Sequence, residues 1–169
     1  MKWLIAFIII LLVLFQSSVA SNFAIGAIVP NFLFSFLIAL AFLKNFRQSI
    51  ACAFLGGLFL DLIIGWPFGL ILLAFVLIAA LVNLISSDFL ETTNLAIVAG
   101  IGFSAALAYF LLIEIILKSA NLLKLTDLSS DFFYNFFHIG FSSAIYNSFL
   151  IILFYLGIKR LEGNKNFKV

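Results

Sequence analysis

The chain has 169 residues, of which 66% are hydrophobic and only 9% charged, and its mean hydropathy is +1.31. A soluble domain of this length cannot hide so much apolar surface, so the composition points to a bilayer as solvent. The net charge of +2 comes from basic residues that form no patch, which excludes nucleic-acid recognition, and the single cysteine, Cys52, excludes an internal disulfide or a CxxC metal or redox motif.

Charged and turn residues cut the chain into six apolar segments, and about 20 residues cross a bilayer as a helix. They run Trp3–Ala20, Phe23–Leu43, Ser49–Ile64, Pro67–Ile85, Leu95–Leu117 and Phe132–Ile158. The expected fold is therefore an all-α integral membrane protein with six transmembrane helices in one domain, 1–169. The first segment, with Lys2 before it and "SSVA" at its end, has the outline of a cleavable leader. Its apolar run is longer than a leader needs and the next segment follows almost at once, so we expect it to be retained. Pro30 suits the first turn of a helix. The second helix is then expected to begin near Pro30, with Phe23–Val29 as an irregular or re-entrant lead-in. The third segment is short and borrows its start from Arg47 and Gln48. Gly65-Trp66-Pro67-Phe68-Gly69 reads as a tight turn, with Pro67 opening the fourth helix.

Between the later segments, Asp88 and Glu91 have a spacing that caps a helix start. The stretch 118–131 spaces leucines among polar residues like a short interfacial helix, and Ser129, Ser130 or Asp131 can cap the sixth span. Basic residues give the orientation. With the N-terminus inside, the inner side collects Lys2, Lys44, Arg47, Lys159, Arg160, Lys165 and Lys168, and the outer side only Lys118 and Lys124. Both termini are expected in the cytoplasm.

Three ionisable groups fall within spans, all toward the outer end: Asp61, Glu114 and His138. Charges inside a bilayer are costly and usually face protein or water, so a shared outer-side polar pocket is one reading. Simpler readings compete. Glu114 and Lys118 are four apart with the acid first, the favourable order for a helical ion pair. A lone His with no second His or Cys nearby does not make a metal site. Asp61 has no basic residue one turn away on its own helix. Its partner must come from another helix, a turn backbone or the headgroup region. No GxSxG, HExxH or Walker pattern is present and no nucleophile sits at a useful spacing from a base, so an enzyme is not expected. Nor is a cofactor. Small residues four apart recur as Gly100-Ser104-Ala108 and Gly140-Ala144-Ser148, spacing that lets helices approach closely. Packing within the chain is the expected use of both.

The stretch Val29–Val82 resembles the rod shape-determining protein MreD family. The resemblance rests on Pro30-Asn31 opening the second helix and on "AFLGGLFLDLIIGWPFG", with Gly57, Leu60-Asp61-Leu62, Gly65 and Gly69; Gln16 and the chain length also fit. The resemblance implies a multi-pass protein of the bacterial cytoplasmic (inner) membrane, non-enzymatic. Its partners would be MreC, the glycan-polymerising RodA and a class B penicillin-binding protein, with actin-like MreB on the cytoplasmic side. Pro30, Asn31, Gly57, Asp61, Gly65 and Gly69 would then form a structural or partner motif. The family's likeness in fold to the substrate-binding subunit of energy-coupling-factor transporters supplies the alternative. This is a membrane substrate-binding component of a small-molecule (vitamin-type) transporter, holding its ligand near Asp61, Glu114 and His138.

Overall fold

The computed structural model describes residues 2–26, 28–65, 68–87, 94–122 and 135–163. Within them lie six α-helices: α1 (Lys2–Ser18), α2 (Phe32–Leu43), α3 (Phe46–Ile64), α4 (Leu70–Ser87), α5 (Leu95–Leu122) and α6 (Phe141–Gly163). The only β feature among the described residues is an isolated bridge, Ile25 to Ile28. Three helices are long and apolar enough to cross a membrane: α3, α5 and the run Phe136–Leu161 that contains α6. The other three are apolar but shorter. The expected Pro67 helix start, the Asp88–Glu91 cap and the Ser129–Asp131 cap all lie outside the described residues. Helix α5 runs five residues past its expected end at Leu117, so the start of the 118–131 stretch continues it.

Helix α2 is the centre of the molecule. Every residue from Leu33 to Phe42 is buried, and the helix touches each of the other five. A helix apolar on all sides is a core helix, and this one has no polar face to present to a surface. Around it, α3 and α4 form the tightest antiparallel pair, α6 lies along both α2 and α5, and α1 packs on α3 and α2. Phe34, Phe75 and Tyr109, from α2, α4 and α5, meet ring to ring, Phe34 and Tyr109 stacked at 4.7 Å.

A fully buried helix has a difficulty at each end, because the first four N–H groups and last four C=O groups lack partners within it. At the C-terminal end of α2 the solution is one amide on α4. The Nδ2 of Asn83 donates to the carbonyls of both Ala41 and Lys44, each at 2.8 Å.

Helix α2 starts at Phe32 with Asn31 as its N-cap, the side-chain oxygen accepting from the Phe34 N–H at 3.0 Å. Pro30 therefore stands just before the cap and not in the first turn, because Asn31, unlike proline, has an acceptor to offer. The described residues of the expected irregular lead-in Phe23–Val29 form no regular helix: a 3-10 turn at Ala20–Phe23 runs into it, and Gly26 has a left-handed φ of 63°. Helix α3 starts three residues ahead of Ser49, capped by Asn45 on the Gln48 N–H.

The small-residue stripes divide. Just before α6, Gly140 lies so close to Phe110 of α5 that a Cβ would come within 2.7 Å of its ring, and on α6 the Ser148 hydroxyl donates to the Ala99 carbonyl of α5 at 3.2 Å. That stripe is internal packing. On α5, Gly100 and Ser104 are exposed and nothing lies within 4 Å of a Cβ at Gly100, against expectation, while Ala108 packs against the core. The side of α5 that meets α6 carries Gly102, packed on Ile151.

Replacing Asn83 by Leu removes both donors at the end of α2. Leaving buried carbonyls unpaired costs about 1–3 kcal/mol each, so Asn83→Leu should lower the unfolding free energy in detergent by about 2–4 kcal/mol. Denaturant titration followed by tryptophan fluorescence measures it.

Candidate functional site

Apart from Asn83 and its neighbours at the far end, several polar groups of the helical core gather at one end of the bundle, where α2 and α4 begin. Two clusters can be followed there atom by atom.

The first surrounds Asp61, which is only 3% exposed. Its Oδ2 accepts from the backbone N–H of Gly69 at 3.1 Å and of Leu72 at 2.9 Å, and its Oδ1 from that of Ile71 at 3.0 Å. These are amides of the first turn of α4 and of the residue before it, the groups a helix leaves unpaired. Gly69 occupies the N-cap position, with its carbonyl accepting from Leu73. It has φ of 92°, a conformation that L side chains resist, and as glycine it brings no capping side chain. Asp61 of α3 performs that task from outside. A carboxylate at a helix N-terminus also interacts favourably with the helix dipole. Of the three sources open to Asp61, the structure selects the turn backbone and the neighbouring helix start.

Gly57 belongs to the same device. It lies one turn before Asp61 on the same face of α3. A Cβ there would stand 2.5 Å from the Leu72 Cα and 3.1 Å from its nitrogen. Asp61 can bond the Leu72 N–H because Gly57 lets the Leu72 backbone come this close. Gly65 ends α3 in the left-handed conformation, φ 72°, as glycine does at helix C-termini, and turns the chain back toward Gly69.

The second cluster surrounds Pro30 and Asn31. Gln16 of α1 donates from Nε2 to the Pro30 carbonyl at 3.0 Å and accepts at Oε1 from the Phe32 N–H at 2.8 Å. Its amide thus pairs with the backbone as another peptide group would. Asn147 of α6 accepts from the Asn31 N–H at 2.8 Å and donates to Ser143, and the Ser35 hydroxyl donates to the Asn147 carbonyl. The side chains of Asn31 and Tyr109 are hydrogen-bonded, and Tyr109 is near enough to Asp61 to feel its charge. Tyr109 thereby lies between the two clusters. Phe15, Phe23 and Phe32 pack against one another beside Gln16.

Of the three ionisable groups expected toward the outer end, Asp61 and Glu114 are buried and His138 is exposed. His138 lies in a single π-helical segment, Asn135–Gly140, that leads into α6. Because the Asp61 bonds go to α4 amides, its burial needs neither Glu114 nor His138. No group of three or more His, Cys, Asp or Glu that could hold a metal occurs among the described residues. Asn147, Tyr109 and Asn83 were not singled out from the sequence. An amide or phenol inside an apolar helix was the available signal, without an indication of its partner.

What the arrangement does chemically is fix backbone. Both oxygens of the buried acid accept from backbone amides. A family model described as rod shape-determining protein MreD matches residues 1–162. No curated protein matches the chain, and no solved structure does.

The geometry ranks three substitutions. Asp61→Leu leaves three amides without their acceptor and should destabilise the protein by about 3 kcal/mol or more. Asp61→Asn keeps one oxygen for Gly69 and Leu72 but turns an NH2 toward the Ile71 N–H, and should cost roughly half as much. Gly57→Ala forces α3 and α4 apart against backbone, not against a side chain that could swing, and should cost about 1–3 kcal/mol. Thermal unfolding of the purified variants in one detergent tests the order; Asp61→Asn as damaging as Asp61→Leu would contradict it.

Proposed function

The chain belongs to the rod shape-determining protein MreD family, and from that premise we propose that it is a non-enzymatic subunit of the bacterial cell-elongation complex, helping to assemble MreC with the peptidoglycan synthases RodA and a class B penicillin-binding protein. Membership supports a role in rod shape determination in a membrane. The observation that carries the finer reading is the Asp61 site. The acid that the sequence makes most conspicuous has its oxygens on three backbone amides, and Gly57 holds the receiving helix against it. Such a site keeps a surface in shape for a partner. In this reading both termini face the cytoplasm, where MreB lies, and the motif Pro30, Asn31, Gly57, Asp61, Gly65 and Gly69 braces the outer end from within.

Purification from native membranes through a C-terminal tag tests the proposal. MreC and the penicillin-binding protein should be recovered with the wild-type chain. Gly57→Leu and Asp61→Leu should reduce MreC recovery severalfold at equal expression, and Asp61→Asn should do so less. Recovery of an ATPase with a scaffold subunit in place of MreC would favour the transporter alternative and the pocket near Asp61, Glu114 and His138. Normal MreC recovery by an Asp61→Asn chain that no longer supports cell shape would overturn the bracing role.

A further inference from the structure

The end of the molecule that carries the caps has loops of unusual character. Residues 3–43 contain no Asp, Glu, Lys, Arg or His, and from Gln48 to Ser87 the one charged residue is Asp61. The connection from α1 to α2 and that from α3 to α4 are therefore charge-free apart from a buried acid. Ser21 and Asn22 are exposed at the start of the first connection, but beyond them the exposed side chains are apolar: Ile25 is 66% exposed and Phe68 68%, with Phe23 and Val29 nearly half exposed and Leu62 outward at the end of α3. Loops at a water surface are normally polar.

Part of their backbone is also paired within the protein. In the first connection, Asn22 donates to Val19, Ala24 to Ser21, and Ile25 and Ile28 exchange both of their bonds. Pro30 has no N–H, and the N–H groups of Asn31 and Phe32 go to Asn147 and Gln16. In the second, Asp61 takes Gly69, Ile71 and Leu72. Irregular backbone survives at membrane depth where its polar groups are satisfied by protein.

Helix lengths agree. At 1.5 Å per residue, α1, α3 and α4 measure about 25, 28 and 27 Å and α2 only about 18 Å, from 17, 19, 18 and 12 residues. The hydrocarbon layer is about 30 Å thick and the bilayer with its headgroups about 40–45 Å. Helix α5, with 28 residues, is about 42 Å long.

We propose that the capped end of α1–α4 lies below the headgroups, with Ile25 and Phe68 covered by lipid acyl chains, so that the leaflet on that side is locally thin beside α1–α4. The partner of this surface is lipid. The inference goes beyond the assembly role and rests only on the chain spanning a membrane.

Single nitroxide labels on Ile25→Cys and Phe68→Cys, in the full-length Cys52→Ala chain, test it in phosphatidylcholine–phosphatidylglycerol vesicles. Both positions are exposed, and gel filtration confirms that each variant is intact. Leu153→Cys on the outward face of α6 serves as the mid-membrane reference and Ser129→Cys in the polar 118–131 stretch as the water reference. Oxygen concentrates among acyl chains and a polar nickel chelate stays in water. The ratio of oxygen to chelate collisions at residues 25 and 68 should exceed that at 129 by roughly tenfold and approach that at 153. Ratios at 25 and 68 equal to that at 129, with 153 still lipid-like, would overturn the inference while leaving the membrane-spanning reading intact. Exclusion of both colliders from 25 and 68 would mean that protein covers the loops, and would overturn it too. A chelate-accessible residue 153 would remove the spanning reading itself.

Discussion

The structure depends on finding partners for peptide groups at helix ends that never reach water. Helix α2 is buried from Leu33 to Phe42, so its end groups turn to other helices, and α4 begins against α3. An unpaired N–H or C=O in such surroundings costs several times the net gain from an ordinary exposed hydrogen bond. The chain meets this with four side chains from other helices: Gln16 and Asn147 at the start of α2, Asn83 at its end, and Asp61 at the start of α4. The aliphatic and aromatic packing is extensive, but in a bilayer apolar contact does not by itself distinguish a neighbouring helix from lipid. The caps supply the direction and register that packing leaves loose. Each cap reads a particular residue of a particular helix, so the polar minority of the sequence specifies the arrangement of the apolar majority.

The two capping strategies differ in chemistry, and the difference is legible in which residue is used where. Gln16 must satisfy an acceptor and a donor, the Pro30 carbonyl and the Phe32 N–H, and only an amide offers both. At α4 all three groups are donors, and a carboxylate, which only accepts when ionised, is the matching choice. Glutamine at position 61 or glutamate at position 16 would each present the wrong complement of lone pairs and protons. The proximity of Tyr109 to both clusters ties the two solutions together through α5.

Much of the Asp61 site could be read from the sequence because it is local. Gly57, Asp61, Gly65 and Gly69 fall within thirteen residues, an acid without a partner on its own helix demands one nearby, and glycine before and after it indicates close approach and a turn. The Pro30 cluster was half legible: proline and asparagine marked the start of α2, while Asn147 pairs with Asn31 across 116 positions and nothing in its own neighbourhood says so. Asn83, 42 positions from Ala41, was equally silent. The stripes of small residues show the same limit. Gly140-Ala144-Ser148 and Gly100-Ser104-Ala108 have the same spacing, yet the first meets a helix and the second turns Gly100 and Ser104 outward, because spacing describes a helix face without saying what stands opposite. The short length of α2 was legible from Pro30, although hydropathy alone did not show it. Hydropathy sees a continuous apolar run from Phe23, and the change from irregular chain to helix within it depends on where Asn31 finds its partners.

The bond from Asn31 to Asn147 bears on how such a chain comes to exist. During synthesis α2 leaves the ribosome more than a hundred residues ahead of the helix that holds its first turn. The Gly57–Asp61 device, which reaches no further along the chain than Leu72, is available as soon as α4 has emerged, and Gln16 is already in place. The nascent protein therefore passes through a long interval in which its innermost helix is surrounded on several sides but still open at its start. Delivery of the last helix completes the core as a keystone does, and biogenesis of the whole bundle is tied to the arrival of its final segment.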